Sequence, residues 1–189
     1  MKTLIIVAGL PGVGKSHICR LLKKRIKGLF YFDSDLFGKR AFEKRKLALQ
    51  DLSPGMVRAL RLAVHRSKLV EIKKRFRTHS TIAIDTCFDL PGSRKMFYEF
   101  VRKNKLRLIV LELSCPQKIA RSRIFERRHE TERTVGSKKS RWGIYLEMKR
   151  NWRPISPPKI IINSASAEDI NRKLKKLLSL ILKAPGSRA

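Results

Sequence analysis

A short apolar run at residues 3–8 is followed at once by Gly9-Leu10-Pro11-Gly12-Val13-Gly14-Lys15-Ser16, which fits G-x-x-x-x-G-K-[ST] at every fixed position. Residues 15–26 then place Ile18, Leu21, Leu22 and Ile26 at helical spacing. Strand, glycine loop and helix, in that order, are what the motif's mechanism requires. Glycines let successive backbone N–H groups turn inward, and the helix N-terminus adds a dipole that favours anions. The backbone of Gly9, Gly12, Val13 and Gly14 is therefore the expected phosphate cradle. Lys15 would neutralise the β- and γ-phosphates of a bound nucleotide, and the Ser16 hydroxyl would ligate Mg²⁺.

The rest of the chain alternates as such a loop demands. Apolar runs at 29–32, 81–84, 106–113 and 159–162 read as further strands. Helical patterns follow at 54–74, 92–102, 116–129 and 167–182, the first opened by Ser53-Pro54, a capping residue before a proline. In that helix Met56, Leu60, Val64 and Val70 form the expected apolar face, and Arg58, Arg61, Arg66, Lys68, Lys73 and Lys74 a solvated one. The pattern predicts an α/β fold: a doubly wound, five-stranded parallel sheet with helices on both faces. One domain is expected over 1–183, with a polar, mobile loop at 131–141 and a flexible tail at 184–189.

Charge narrows the partners. The 189 residues carry 45 Lys+Arg against 15 Asp+Glu, a formal net charge of +30. With 42% hydrophobic residues the chain is a folded domain and not a disordered basic tail. Heat-adapted surfaces enrich Glu together with Lys, and here the acids are scarce. A polyanionic partner is the better reading, nucleic acid first and an anionic membrane surface second. No apolar run approaches the roughly 18 residues of a membrane span. Cys19, Cys87 and Cys115 are isolated, suggesting neither disulfides nor zinc, and the cytoplasm is the expected location.

Acidic residues stand at strand ends, where ligands of doubly wound sheets gather. Asp33-Ser34-Asp35 closes the second strand; a carboxylate there can take a hydroxyl proton or hold a magnesium's water shell, or it can cap the next helix. Asp85 closes the third strand, as an outer-sphere magnesium residue or a turn residue would. Arg94 falls in the first turn of the following helix, where a cation is unfavourable unless an anion is near. Arg121, Arg123, Arg127 and Arg128 stud the helix after Pro116, with Arg123 and Arg127 on one face. Trp142, Tyr145 and Trp152 lie among basic residues, where they could stack bases or simply pack.

Taken together, the phosphate loop, Asp33-Ser34-Asp35 and the stretch from Asp85 to Arg94 resemble the small P-loop kinases related to polynucleotide 5′-hydroxyl kinase. That group includes zeta-toxin-like, chloramphenicol and gluconate kinases and the archaeal kinase of seryl-tRNA. The resemblance implies ATP with Mg²⁺, a sheet in the nucleoside-kinase order, and an arginine-bearing lid after the fourth strand, roughly 116–141. It implies Asp35 as general base, Arg123 and Arg127 as lid arginines, and Asn163-Ser164 as the adenine-side loop. Phage-type polynucleotide kinases carry an acceptor-gripping Arg three residues after the base. Here Gly38 stands there, leaving Asp33, Asp35, Arg40 and Arg94 as the acceptor-binding candidates.

Three functions follow: a kinase of a nucleic-acid hydroxyl, most simply the 5′-hydroxyl of RNA or DNA; a kinase of a small metabolite or antibiotic; and a nucleotide-regulated RNA-binding protein. A metabolite kinase needs a few cations near its phosphates, so the net charge favours the first over the second.

Overall fold

The computed structural model describes residues 1–43, 53–126, 140–156 and 158–182. Strands Thr3–Ala8 (β1), Phe30–Phe32 (β2), Thr81–Thr86 (β3), Arg107–Ser114 (β4) and Ile160–Asn163 (β5) form one parallel sheet in the order β2-β3-β1-β4-β5. The helices are Lys15–Arg25 (α1), Ser34–Glu43 (α2), Pro54–Arg75 (α3), Pro91–Lys103 (α4), Gln117–Glu126 (α5), Arg141–Arg150 (α6) and Ala167–Leu182 (α7).

β1 lies in the middle and all six of its residues are buried. The two-residue period of a strand divides them between two cores. Ile5 and Val7 meet Ile18 and Leu22 of α1 and Ile170, Leu174 and Leu177 of α7. On the other face Leu4, Ile6 and Ala8 meet Leu69 and Ile72 of α3 and Phe97 and Val101 of α4. Each fully buried Leu, Ile or Phe contributes roughly 1.5–3 kcal/mol relative to exposure. A sheet covered on both faces needs near-continuous apolar strands, which is why the strands stand out in the sequence.

Two helices depart from the sequence reading. α3 starts where expected, Ser53 Oγ accepting from Met56 N, but its buried face is different. Met56 and Val70 are 55% and 58% exposed, while Val64, Leu69 and Ile72 are buried together with His65 and Lys68. Polar partners from α2 draw Lys68 inward, so charge alone misassigned it to the solvated face. α6 was not anticipated, and its first residue, Arg141, falls in the expected 131–141 loop. Ser140 Oγ caps it by accepting from Gly143 N, and Tyr145 is buried beneath it. Among the described residues no helix is long and apolar enough to cross a membrane. The 184–189 tail and most of the 131–141 loop lie outside the described residues.

Candidate active site

The phosphate loop leaves the centre of the sheet at the C-terminal end of β1. Gly9, Gly12 and Gly14 have φ of 144°, 78° and 87°, a region that side chains rarely adopt. A Cβ on Gly9 would stand 2.6 Å from Leu113 O, and one on Gly12 2.7 Å from Ala120 O, so β4 and α5 press directly on the loop. α1 starts from Gly14 with no side-chain cap, which directs its first N–H groups to a ligand. Lys15 Nζ lies back across the loop, donating to Leu10 O at 3.0 Å with Cys87 Sγ at 3.8 Å.

Asp85, 3% exposed, joins four segments. Its Oδ2 accepts from Ser16 Oγ at 2.7 Å and from Tyr31 OH at 2.8 Å, and its Oδ1 accepts from Ser34 N at 3.0 Å. Burial first, then the Asp85 charge, pushes the Tyr31 phenol up, so it stays a donor. A hydroxyl and a carboxylate oxygen brought together beside a phosphate cradle fit Mg²⁺, a hard cation that takes oxygen ligands and keeps several waters. Ser16 and Asp85, predicted from separate motifs, therefore meet.

The acids after β2 divide their roles. Asp33 is a cap: its Oδ1 accepts from Leu36 N at 2.9 Å at the start of α2. Burial raises its carboxyl, the Leu36 N–H opposes this, and the charges of Asp85 and Asp35 add to the rise. Asp35 is exposed in the first turn of α2, one residue beyond the Ser34 that is tied to Asp85. Arg40 is exposed five residues further on, roughly 140° around the helix from Asp35 at 3.6 residues per turn. Lys39, four residues on, is the basic residue that shares the Asp35 face.

Arg94 is a correction. Its Nε donates to Phe88 O at 2.7 Å, Nη1 to Pro154 O at 2.9 Å and Nη2 to Arg153 O at 2.7 Å. The guanidinium also lies between the Phe88 and Trp152 rings, 5.8 and 5.6 Å from their centroids. Three carbonyls, and not an acceptor anion, account for an arginine at this helix start. Trp152 is thereby committed to the core. Trp142 stacks on Tyr145 at 4.7 Å and 7°, against Ala120 and Ile124, so packing explains these aromatics as well.

Arg123 reaches from α5 to the loop after β5, its Nη2 donating to Ser164 O at 2.9 Å and its Nη1 to Ser164 Oγ at 3.3 Å. A Cβ on Gly14 would stand 3.5 Å from Arg123 Nη1, so this guanidinium borders the phosphate loop. Arg127 lies outside the described residues. Asn163 spends its side chain on a turn, Oδ1 accepting from Ala165 N at 3.1 Å, and Ser164 is the residue of that pair facing Arg123 and Gly14.

Three participants escaped the sequence reading. Tyr31 was hidden inside an apolar run, and its hydroxyl was the available signal. Ser34 stood between two more conspicuous acids. Lys68, 7% exposed, was one cation among many; its ammonium donates to Ser34 Oγ. Burial lowers its pKa, and the charges of Asp35 and Asp85 oppose that shift.

A family described as an AAA domain matches residues 5–142. Among curated proteins none matches the chain. Among solved structures the chain is similar to a sugar kinase from Janibacter, with TM-score 0.63, 15% identity, and 100% and 99% of the two chains covered. It is similar to a gluconokinase from Sinorhizobium meliloti, with TM-score 0.62, 14% identity, and 94% and 93% covered. It is also similar to Kti12 from Chaetomium thermophilum in complex with ADP-AlF3, with TM-score 0.60, 18% identity, and 93% and 97% covered. At these identities the likeness is one of fold.

Proposed function

The chain belongs to the AAA domain family, and from that premise we propose that it is a cytoplasmic, ATP-dependent kinase that phosphorylates a hydroxyl of a nucleic acid, most simply a 5′-hydroxyl end of RNA or DNA. One observation carries the transfer reading: the segment bearing Asp35 is hydrogen-bonded through Ser34 N to the same Asp85 carboxylate that receives Ser16. A candidate base and the phosphate loop are thus fixed to one another. The net charge of +30 supports the acceptor.

In this reading Asp35 takes the proton of the attacking hydroxyl. Lys15 exchanges the Leu10 carbonyl for β- and γ-phosphate oxygens, while the loop N–H groups hold the nucleotide in line. Bound Mg²⁺ would neutralise charge on those phosphates, held by Ser16 and, through its waters, by Asp85. Arg123, released from Ser164, brings a planar guanidinium to the charge spread over the moving phosphoryl group, and Arg127 is assigned the same task. The Asn163-Ser164 loop borders the adenine, and Asp33 orients α2.

A metabolite acceptor is the second reading, favoured by the sugar kinase and gluconokinase that share the fold. Labelled ATP offered with hydroxyl-ended oligonucleotides, sugars and gluconate separates the two. Transfer to the oligonucleotide, weakening steeply with salt as condensed counterions are no longer released, is the expected result. Transfer confined to sugars or gluconate would overturn the nucleic-acid acceptor.

A further inference from the structure

The inward side of α3 carries more polar chemistry than a packing face needs. Arg61, His65 and Lys68 recur at helical spacing and turn towards α2 and the β3–α4 connection. Arg61 is spoken for by Asp89, with Nη2 at 3.1 Å from Oδ2. His65 packs edge-on against Phe97, centroids 6.2 Å apart. Lys68 has no comparable account.

Among the described residues, Lys68 and Arg94 are the buried Lys and Arg side chains. Arg94 has three carbonyls and two rings. The hydrogen bond of Lys68 is to one neutral hydroxyl, Ser34 Oγ. An ammonium has three donors, and among the described residues one is used, so two remain for a ligand. Burying a cation is costly; the charges of Asp35 and Asp85 offset part of that cost, and an arriving phosphoryl anion would offset more.

The surroundings indicate which anion. Lys68 feels the charges of Asp35 and Asp85 and lies near Cys87, whose Sγ is 3.8 Å from Lys15 Nζ. Through Ser34, whose N–H binds Asp85 while Asp85 binds Ser16, the Lys68 ammonium belongs to one connected network with the phosphate loop.

We propose that Lys68 is a second phosphoryl-binding cation, which contacts the transferring group from the acceptor side while Lys15 holds it from the nucleotide side. The inference rests on the phosphotransfer reading above but on neither choice of acceptor. In the step, the acceptor oxygen bonds to the γ-phosphorus and its proton passes to Asp35. The bond from that phosphorus to the β,γ-bridging oxygen breaks, its electron pair leaving with ADP. Lys68 forms and breaks no covalent bond; its charge faces the equatorial oxygens as negative charge gathers there.

The test needs no knowledge of the acceptor. Magnesium ADP is titrated by calorimetry with and without aluminium fluoride, a mimic of the phosphoryl group in transit. Wild-type protein should bind the fluoride complex more tightly than ADP. Lys68→Met should leave ADP affinity near wild type and lose about 10²–10³-fold of the fluoride enhancement, the usual cost of removing one preorganised donor. Lys68→Arg, which keeps the charge, should regain part of it. Equal enhancement in wild type and Lys68→Met would overturn the assignment and leave the kinase reading intact. No enhancement in wild type would overturn the transfer reading, and this inference with it. Should Lys68→Met fail to melt cooperatively, Ser34→Ala removes the tether: a reduced enhancement with unchanged ADP affinity is expected, and an unchanged enhancement overturns the proposal.

Discussion

The two halves of the site are built from different materials. On the nucleotide side the work is done by backbone: three glycines with positive φ and an uncapped helix start, all within residues 9–16. On the side proposed to receive the acceptor it is done by side chains from distant segments, Asp35 of α2 and Lys68 of α3, linked through Ser34 to Asp85 of β3 at the phosphate loop. A backbone site is written locally, since chain order alone sets its geometry. A side-chain site is written in the tertiary packing, so neighbouring residues in sequence do not disclose it. The first half is the part common to phosphate-loop proteins, and in the proposed reading the second half meets the acceptor.

The two halves are most sensitive to substitution where they meet. Lys15→Ala should remove phosphoryl transfer and weaken ATP binding with little change in thermal stability, because the side chain crosses the loop and is not core. Asp35→Asn should keep ATP binding and lose transfer by about 10²–10⁴-fold, the range for a general base. Single-turnover transfer and equilibrium nucleotide binding, measured on both variants, check the pair. Loss of ATP binding in Asp35→Asn would show that the halves are not separable.

A smaller effect tests the reassigned arginine. Arg94→Ala strands three carbonyls and should cost about 4 kcal/mol of stability, from charge-assisted bonds of about 1.5–3 kcal/mol each that do not add fully. Denaturant titration measures the loss, and ATP affinity in the folded variant should be unchanged. A stable Arg94→Ala that fails only in acceptor binding would restore the anion-binding role.

The smallest effect is a pH dependence on the acceptor side. Burial lowers the His65 imidazole to about 4, with Lys68 and Arg61 adding to the shift and Asp89 opposing it. Below pH 6.5 the unfolded chain takes up a proton there that the folded chain refuses until about pH 4. Stability present at neutral pH is therefore lost as pH falls through that window, by up to about 3 kcal/mol. Denaturation midpoints between pH 4 and 7 should show this limb in wild type and a flatter one in His65→Phe.

Much of the fold was legible because its sheet is buried on both faces, so that 81–84 and the Leu108–Leu111 stretch of 106–113 are short, almost wholly apolar runs. α7 was read at its observed limits because Ile170, Leu174 and Leu177 mark one clear stripe. α6 was not, since it buries Tyr145 and otherwise depends on the Ser140 cap and the Trp142 stack. Within the site, Gly9 to Ser16 and Asp85 were legible because the loop directly follows a strand and the acid stands near the end of one. Lys68 was not, because in a chain with 45 Lys and Arg a cation carries no information until its surroundings are known. Arg94 was misread for a related reason: its compensating carbonyls, Arg153 and Pro154, lie far away in sequence.

The central place of β1 has a kinetic consequence. Thr3 is paired with Thr81 on one side and Arg107 on the other. The phosphate loop precedes both of its strand's neighbours in the chain, so β1 is paired on both sides only after β4 has been synthesised. Such long-range parallel pairing is slow, and it leaves apolar surface uncovered in the meantime. During that interval the strongly cationic nascent chain repels its own segments, and any polyanion at hand would relieve that repulsion before a nucleotide could bind.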